Sequence, residues 1–262
     1  MGSEMCIRDS QGGAAGVRRE AACGVPGQVA HILSPVASGV VLLFAAFLAV
    51  AVVVVYLSYL AAKKRREALA AYAATRGWRY EVEQPLLVDR FSGAPFGLGF
   101  GRRAYNVLYG SHDGRDLVSF DYEYKTQTSD GKQTTTHVHV FSVLGLSMGV
   151  LMPPLSVDPE NFIDRFVGRL SGNDIDLESD DFNQAFTVSS TDRKFASDVL
   201  HPRMMEYLLQ HRQLGWRFEQ DSMLVIAQGR RTPTQIDATL TVMDRITDLV
   251  PEFVWLRLKG QG

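Results

Sequence analysis

An uncharged apolar run from Val36 to Ala62, closed by Lys63-Lys64-Arg65-Arg66, constrains this chain more than any other feature. An α-helix rises about 1.5 Å per residue, so about 20 apolar residues cross the roughly 30 Å hydrocarbon core of a bilayer. The run covers 27 residues, 36–62, and can cross with some tilt. Because a backbone in lipid must satisfy its own hydrogen bonds, we predict a transmembrane helix there despite the many β-branched residues.

Two other structures share this composition, a buried core helix and a cleaved signal peptide. A core helix of this length needs a much larger domain around it than one would expect here. A signal peptide carries its basic residues before a shorter apolar region, whereas the strong basic cluster of this chain follows the run. The pattern therefore favours a membrane span.

The basic residues also predict the orientation of the span. The cluster 63–66 places four positive charges at one end, whereas Arg18 and Arg19 place two at some distance from the other. Cytoplasmic flanks carry the excess of Lys and Arg, so we expect the C-terminal domain on the cytoplasmic side of the cell membrane, with the cluster near anionic lipid headgroups. Six residues are predicted to lie at the membrane interface: Lys63, Lys64, Arg65, Arg66, Tyr56 and Tyr59.

The chain is predicted to have four segments. Residues 1–35 are rich in Gly, Ala and Arg and are expected to be disordered, and residues 1–10 resemble a translated sequencing-adapter artefact. The span over 36–62 is followed by a juxtamembrane basic helix over 63–76. A cytoplasmic α+β domain is predicted over 77–262.

Charge and cysteine content restrict the partners of the domain. Residues 1–66 hold seven basic and three acidic residues, which leaves 20 Lys and Arg against 26 Asp and Glu in residues 67–262. Nucleic-acid binding generally uses a basic patch, so we expect no nucleic-acid partner. Both cysteines, Cys6 and Cys23, precede the span, so the domain has neither disulfides nor thiol chemistry, as suits a reducing cytoplasm.

Two Asp-Gly pairs predict a three-stranded antiparallel meander. Asp113-Gly114 and Asp130-Gly131 are typical two-residue hairpin turns. Hairpins of that length define the pairing of the three strands. The first turn pairs Tyr109 with Val118, Val107 with Phe120 and Tyr105 with Tyr122; the second pairs Tyr124 with His137, Tyr122 with His139 and Phe120 with Phe141.

These paired side chains share one face of the sheet, because strand residues alternate between faces. We expect that aromatic face to be buried. The opposite face is expected to be mainly exposed to solvent. It carries Asn106, Ser119, Asp121 and Glu123.

The remaining pattern predicts helices and one further strand pair. Fourfold apolar spacing indicates helices over 159–170, 191–200 and from Pro202 onward, and alternation indicates strands over 216–218 and 223–226. Thr232-Pro233 with Gln235 predicts a capping box at the start of a last helix. The predicted fold class is α+β, with one N-terminal transmembrane helix followed by an antiparallel meander sheet packed with helices.

The segment Gly145-Leu-Ser147-Met-Gly149 matches the G-x-S-x-G pattern of nucleophilic serines. That motif requires a helix directly after the serine, which exposes the hydroxyl and builds the oxyanion hole. Pro153-Pro154 follow here, so we interpret the segment as a turn that ends a strand.

Two histidines and a glycine-rich loop are the other candidates for chemistry. His137 and His139 lie two apart on a strand and project from one face, which makes them weak candidates for metal ligands. Packing against the tyrosines on the neighbouring strand is the favoured interpretation. The loop Gly97–Gly101 has neither the spacing nor the following helix of a nucleotide-binding loop. The acidic residues over 174–181 miss the glycine of a calcium-binding loop.

Several segments resemble a known family. They are Ala70–Trp78, Phe96-Gly97, Arg102-Arg103-Ala104, Leu177–Phe186 with Asp192, and Leu200–Met205. The chain is similar, over about residues 40–258, to an uncharacterised family of actinobacterial single-pass membrane proteins. The resemblance implies a membrane anchor and a cytoplasmic α+β domain of unknown function. It implies no activity, cofactor or catalytic residue.

The function predicted from these patterns is a membrane-anchored, non-enzymatic protein-interaction or scaffold module. We expect no catalytic residues, no cofactor, and a protein partner beside the lipid bilayer. The alternative is a small-molecule-binding or enzymatic domain, whose pocket would lie near Gly93–Gly101 and His137/His139. A pocket with converging polar groups would favour this alternative.

Overall fold

The computed structural model describes residues 35–159 and 175–260, with side chains described from Val40 onward. The helix predicted over 159–170 lies outside these residues except for Pro159, which belongs to a strand, and the N-terminal segment before Pro35 also lies outside them. The chain divides into two compact units, Met1–Val55 and Tyr56–Gly262.

Helix α1 extends from Pro35 to Thr75. In the first unit its described residues from Val40 are exposed apart from the partly exposed Ala51. It is long and apolar enough to cross a membrane: a window of it has a mean hydropathy of 3.1, and none of that window is buried. In the second unit Leu69 and Ala73 belong to the hydrophobic core. Gly77 ends the helical region at φ +69°, as predicted for a residue after a helix.

The second unit contains an eight-stranded antiparallel sheet. The strand bounds are β1 Arg79–Glu83, β2 Phe100–His112, β3 Arg115–Ser129, β4 Thr134–Ser147, β5 Leu155–Pro159, β6 Phe186–Ser190, β7 Gly215–Glu219 and β8 Ser222–Gln228. The strands lie in the order β1-β2-β3-β4-β8-β7-β5-β6. The β2-β3-β4 meander is present as predicted, and the strands predicted near 216 and 223 form the hairpin β7-β8.

The predicted register of the first hairpin holds only near its turn. Tyr109 pairs with Val118 as predicted, but Tyr105 lies opposite Asp121 and not Tyr122. A register shift between Tyr105 and Leu108 causes the difference, and Asn106 in this bulge has φ +52°. The bulge adds a residue to β2 and turns Tyr105 to the other face of the sheet.

The second hairpin has a longer turn than predicted. Ser129 pairs with Thr134, so four residues connect the strands. The register therefore differs by two from the prediction, and Tyr124 lies opposite His139 instead of His137. Because the strand period is two, this shift leaves the aromatic side chains on the predicted face.

Both faces of the sheet are covered. The aromatic face packs against the segment after β1, with Leu87 from a short 3₁₀-helix, Phe91 and Phe96. The prediction of a mainly solvent-exposed opposite face is wrong. Its four polar residues are between 2% and 6% exposed: Asn106, Ser119, Asp121 and Glu123.

Helices cover that second face and its extension over β5–β8. The capping box at Thr232 is confirmed, and Ile236, Leu240, Met243 and Ile246 form the buried stripe of the helix that it starts. The helices after α1 are α2 Asp180–Ala185, α3 Arg193–Val199, α4 Pro202–Leu209, α5 Pro233–Leu249, which Thr232 caps, and α6 Glu252–Lys259. The α+β fold class is confirmed.

Candidate functional site

A buried polar cluster occupies the helix-covered face of the meander. Asp121 on β3 is its centre, and alternation along the strands places Glu123 and Ser142 on the same face, with Ser142 directly opposite Asp121. The bulge in β2 brings Asn106 to the same place: its Nδ2 donates a hydrogen bond of 2.8 Å to Asp121 Oδ2. The Tyr80 hydroxyl donates in turn to Asn106 Oδ1 at 2.9 Å.

Arg65 of α1 neutralises Asp121. Its Nη2 donates to both carboxylate oxygens at 2.9 and 3.0 Å, and its Nε donates to Oδ2 at 3.2 Å. The Arg65 side chain is 21% exposed and the Asp121 side chain 3% exposed. Burial raises the pKa of Asp121 above its usual value, while Arg65 and Asn106 oppose that rise. The ion pair therefore offsets part of the cost of burying a carboxylate where water does not solvate it.

Arg231 lies beside this pair and is itself buried, with 8% of its surface exposed. Its carbonyl accepts a hydrogen bond of 2.8 Å from Arg65 Nη1. Its own Nη1 donates to the carbonyl and hydroxyl oxygens of Ser142 at 3.2 and 3.4 Å. Burial lowers the pKa of Arg231 from its usual value to about 10. The neighbouring Arg230 is exposed and donates to the Tyr105 hydroxyl at 2.9 Å.

A cavity of about 330 Å³, open to solvent, is lined by both Arg230 and Arg231. It lies between the end of β8 and helix α5, with the segment after α4 as its third wall. Its lining combines polar and apolar side chains. They are His211, Leu214, Ala227, Gln228, Arg230, Arg231, Gln235, Ala238, Thr239 and Val242.

The six predicted interface residues differ in their surroundings. Tyr56, Tyr59, Lys63, Lys64 and Arg66 are exposed, and Lys63 forms a weak ion pair of 3.9 Å with Glu67. Arg65 instead directs its guanidinium to Asp121. Helical spacing could have identified this, because Arg65, Leu69 and Ala73 lie four residues apart on one stripe, and the last two are core residues.

The predicted metal ligands are not brought together with a third ligand. His139 stacks on Tyr124 with ring centroids 4.7 Å apart, and its Nε2 lies 2.8 Å from the Thr126 hydroxyl. His137 is exposed on the hairpin. In the part of the chain that the structure describes, no three His, Cys, Asp or Glu side chains form a group able to hold a metal.

The glycine-rich loop packs against the same tyrosine. A Cβ on Gly99 would lie 2.8 Å from the Tyr124 ring, so Tyr124 lies between the loop and His139 and fills the space between them. Arg217 of β7 fixes the start of the loop, donating to the carbonyls of Ala94 at 3.0 Å and Ser92 at 2.5 Å. The cavity beside Arg231 lies on the opposite face of the sheet from this loop.

The structure also describes the G-x-S-x-G segment and most of the acidic residues over 174–181. Ser147 ends β4 and pairs with Ser222, and no helix follows before β5 begins at Leu155. The geometry of the G-x-S-x-G motif is therefore absent from this described stretch, as predicted. Of the acidic residues over 174–181, Asp180 and Asp181 form the first turn of α2, where carboxylates stabilise the positive end of a helix. Asp174 lies outside the described residues.

Sequence reasoning missed the buried polar cluster and the cavity. One signal was available: Phe141–Leu146 is almost continuously apolar, which is typical of a strand covered on both faces. Asp121 has no comparable signal, because its partner Arg65 lies 56 residues away in sequence.

Comparison with known proteins supports the fold and leaves the activity open. Residues 129–248 match the family described as "Protein of unknown function (DUF3137)". No curated protein matches the chain. A solved structure with the same fold is the crystal structure of the mycobacterial trehalose monomycolate transport factor A, TtfA. It has a TM-score of 0.53 and 17% sequence identity, over 70% of this chain and 93% of that chain. The chain is thus similar to an uncharacterised family over residues 129–248 and shares its fold with a transport factor.

Proposed function

We propose that this chain is anchored in the cytoplasmic membrane by residues 36–62 and presents its α+β domain to the cytoplasm as a non-enzymatic interaction module. The observation that carries the proposal is the exposed apolar stretch of α1, which has a mean hydropathy of 3.1 and no buried part. Apolar surface of this extent is unfavourable in water and favourable in a hydrocarbon core. The basic residues that follow favour the cytoplasmic side.

The relative with the same fold adds support for a role at the membrane. That protein is described as a trehalose monomycolate transport factor. We infer the same general kind of role for this chain, an accessory protein and not the carrier of a reaction. No substrate is inferred from that relative.

The anchor is tested by membrane fractionation of the full chain and of a Val52→Lys/Val53→Lys variant. A lysine near the bilayer centre costs about 2.5–3.5 kcal/mol for insertion, so the double variant is expected to leave the membrane fraction while the full chain stays in it. Val82→Lys, an equally exposed apolar residue on β1, is the matched control and should fractionate like the unmodified chain. Recovery of the double variant in the membrane would contradict the anchor.

The orientation is tested with one introduced cysteine. The domain has no cysteine, so Ser129→Cys on the exposed β3-β4 hairpin, with Cys6 and Cys23 replaced by serine, gives a single reporter thiol. A membrane-impermeant maleimide should label it only after the cells are lysed. Labelling in intact cells would place the domain outside and refute the proposed orientation.

The interaction role is tested by purification of the tagged full chain in several detergents. A specific protein partner recovered in each detergent is the expected result. Recovery of the chain alone from every detergent would count against an interaction module.

A further inference from the structure

Arg231 is a buried cation without an acidic partner among the described residues. None of the ion pairs among the described residues includes it. Its contacts at Nη1 are the carbonyl and hydroxyl oxygens of Ser142, which are neutral. Buried charges are ordinarily paired, because removal of an ion from water is costly. The lowered pKa of Arg231 expresses that cost.

The other edge of this guanidinium is open. Its Nε and Nη2 make no hydrogen bond within the described chain, yet neither belongs to the fully enclosed unpaired atoms. These two N–H groups form a planar fork that matches two oxygens of a carboxylate or phosphate. The cavity that Arg231 lines is the space in which such a group could lie.

The surroundings of the cavity add positive potential. Arg230 lines it as a second cation, and helix α5 begins beside it at Pro233, so the positive end of the helix dipole lies near. The acidic residues of the adjacent cluster are already paired, Asp121 with Arg65 and Glu123 with Arg103 at 3.2 Å. Within the described part of the chain, no carboxylate is therefore left to pair with Arg231.

The rest of the lining is both polar and apolar. Gln228 and Gln235 supply amide groups, whereas Leu214, Ala227 and Val242 supply apolar surface. With about 330 Å³ the space is at the lower end of the range for small-molecule sites. It suits a small ligand with one anionic group and a short apolar part.

We propose that the cavity between β8 and α5 binds a small molecule through an oxyanion, a phosphate or a carboxylate, held by the free edge of Arg231. The apolar part of this ligand lies against Leu214, Ala227 and Val242. The site is separate from the membrane anchor, so either proposal can fail without the other.

The test is thermal unfolding of the full chain in a non-ionic detergent with inorganic phosphate, acetate or chloride at equal ionic strength. A ligand that binds the folded state at 100 times its Kd raises Tm by roughly 5–10 °C for a chain of this size. We expect a saturable rise with phosphate or acetate over chloride, and saturation at lower concentration with butyl phosphate or butyrate. If the Tm values are equal in phosphate, acetate and chloride at concentrations up to about 50 mM, where even a site with a Kd near 1 mM would be occupied, the proposal is overturned.

Variants separate the site from general salt effects, since phosphate stabilises many proteins without binding a site. Arg231→Gln removes the charge and keeps donors, and it should lose the saturable rise. Arg193→Gln, an exposed arginine of α3, is the matched control and should keep it. A rise that persists in Arg231→Gln would refute the assignment.

A second variant covers the case in which Arg231→Gln does not fold. Ala238 lines the cavity from an exposed position on α5, so Ala238→Phe fills the space without a change in the buried core. It should abolish the saturable rise while the chain still unfolds cooperatively. An unchanged response in Ala238→Phe would overturn the proposal independently of Arg231.

A last arm distinguishes the source of the anion, because a lipid headgroup and a soluble phosphate share this chemistry. The chain is reconstituted in phosphatidylcholine vesicles with and without phosphatidylglycerol. Stabilisation by inorganic phosphate in pure phosphatidylcholine identifies a soluble ligand. Stabilisation by phosphatidylglycerol alone, lost in Arg231→Gln, identifies a headgroup. Stabilisation by neither would refute the site.

Discussion

Substitution of Arg65 by methionine is expected to destabilise the domain far more than its position in a basic cluster suggests. Methionine keeps most of the apolar stem and removes the guanidinium. Asp121, 2% exposed, then retains the Asn106 amide as its side-chain donor. Loss of one partner from a buried ion pair costs about 3–5 kcal/mol. The partial exposure of Arg65 places the expected loss near the lower end, about 3 kcal/mol.

Lys64→Met is the matched control. It removes the same charge one residue earlier, from a side chain that is exposed and makes no ion pair among the described residues. Its free energy of unfolding should change by less than about 0.5 kcal/mol. For a chain of this size, 3 kcal/mol corresponds to a loss of roughly 6–12 °C in Tm. The assay is thermal or urea unfolding of the full chain in detergent, with tryptophan fluorescence as the signal.

The pH dependence of the stability lost in Arg65→Met provides a second test. Burial already raises the pKa of Asp121, and Arg65 opposes the rise, so Arg65→Met should raise that pKa further. A carboxyl whose folded-state pKa lies above its unfolded value takes up a proton in the folded state first, so folding gains stability as the pH falls through the folded pKa. The difference in free energy of unfolding between Arg65→Met and the unmodified chain should therefore be largest near pH 7 and become smaller toward pH 4.

Rescue decides whether Asp121 is the cause. In Arg65→Met/Asp121→Asn the buried charge is gone, and most of the lost stability should return at pH 7. The reasoning is refuted if Arg65→Met unfolds like Lys64→Met, or if Asp121→Asn destabilises the Arg65→Met background further. Either result would show that Arg65 does not stabilise the domain by neutralising the buried Asp121 carboxylate.

Two further predictions concern backbone and helix contacts. Gly99→Ala should lower the free energy of unfolding by more than about 2 kcal/mol, because Gly99 has φ +59° and its Cβ would lie 2.2 Å from the Lys125 carbonyl oxygen. Gly97→Ala should lower it by about 1 kcal/mol, because Gly97 has φ +76° but no atom lies within 4 Å of the added Cβ. Equal losses for the two variants in urea unfolding would contradict the role of the clash. Tyr72→Phe should lower the free energy of unfolding by about 1 kcal/mol, because the Tyr72 hydroxyl donates to Asp237 Oδ1 at 2.6 Å. A double-mutant cycle of Tyr72→Phe and Asp237→Asn that shows no coupling energy would exclude that bond as the reason.

The local features of the fold were predictable because each depends on neighbouring residues. The capping box at Thr232, the helix end at Gly77 and the alternation of the meander follow from side chains a few positions apart. The register was less predictable. The bulge at Asn106 and the four-residue turn after Ser129 both depend on backbone conformations that Asp-Gly signals alone do not define.

The candidate site was not predictable, because its burial is produced by residues distant in sequence. Asp121 and Ser142 read as a polar, solvated face until α1 and the segment around Arg231 cover them. A strand pattern states which residues share a face and does not state what packs on that face. The helical spacing of Arg65, Leu69 and Ala73 was the one local sign that this part of α1 packs on the domain core.

The same arrangement gives the basic cluster after the apolar run two different surroundings. Lys63, Lys64 and Arg66 are exposed, whereas Arg65 connects the helix to Asp121 and, through its Nη1, to the Arg231 carbonyl. Arg65 therefore contacts both the buried carboxylate and the residue whose guanidinium lines the cavity.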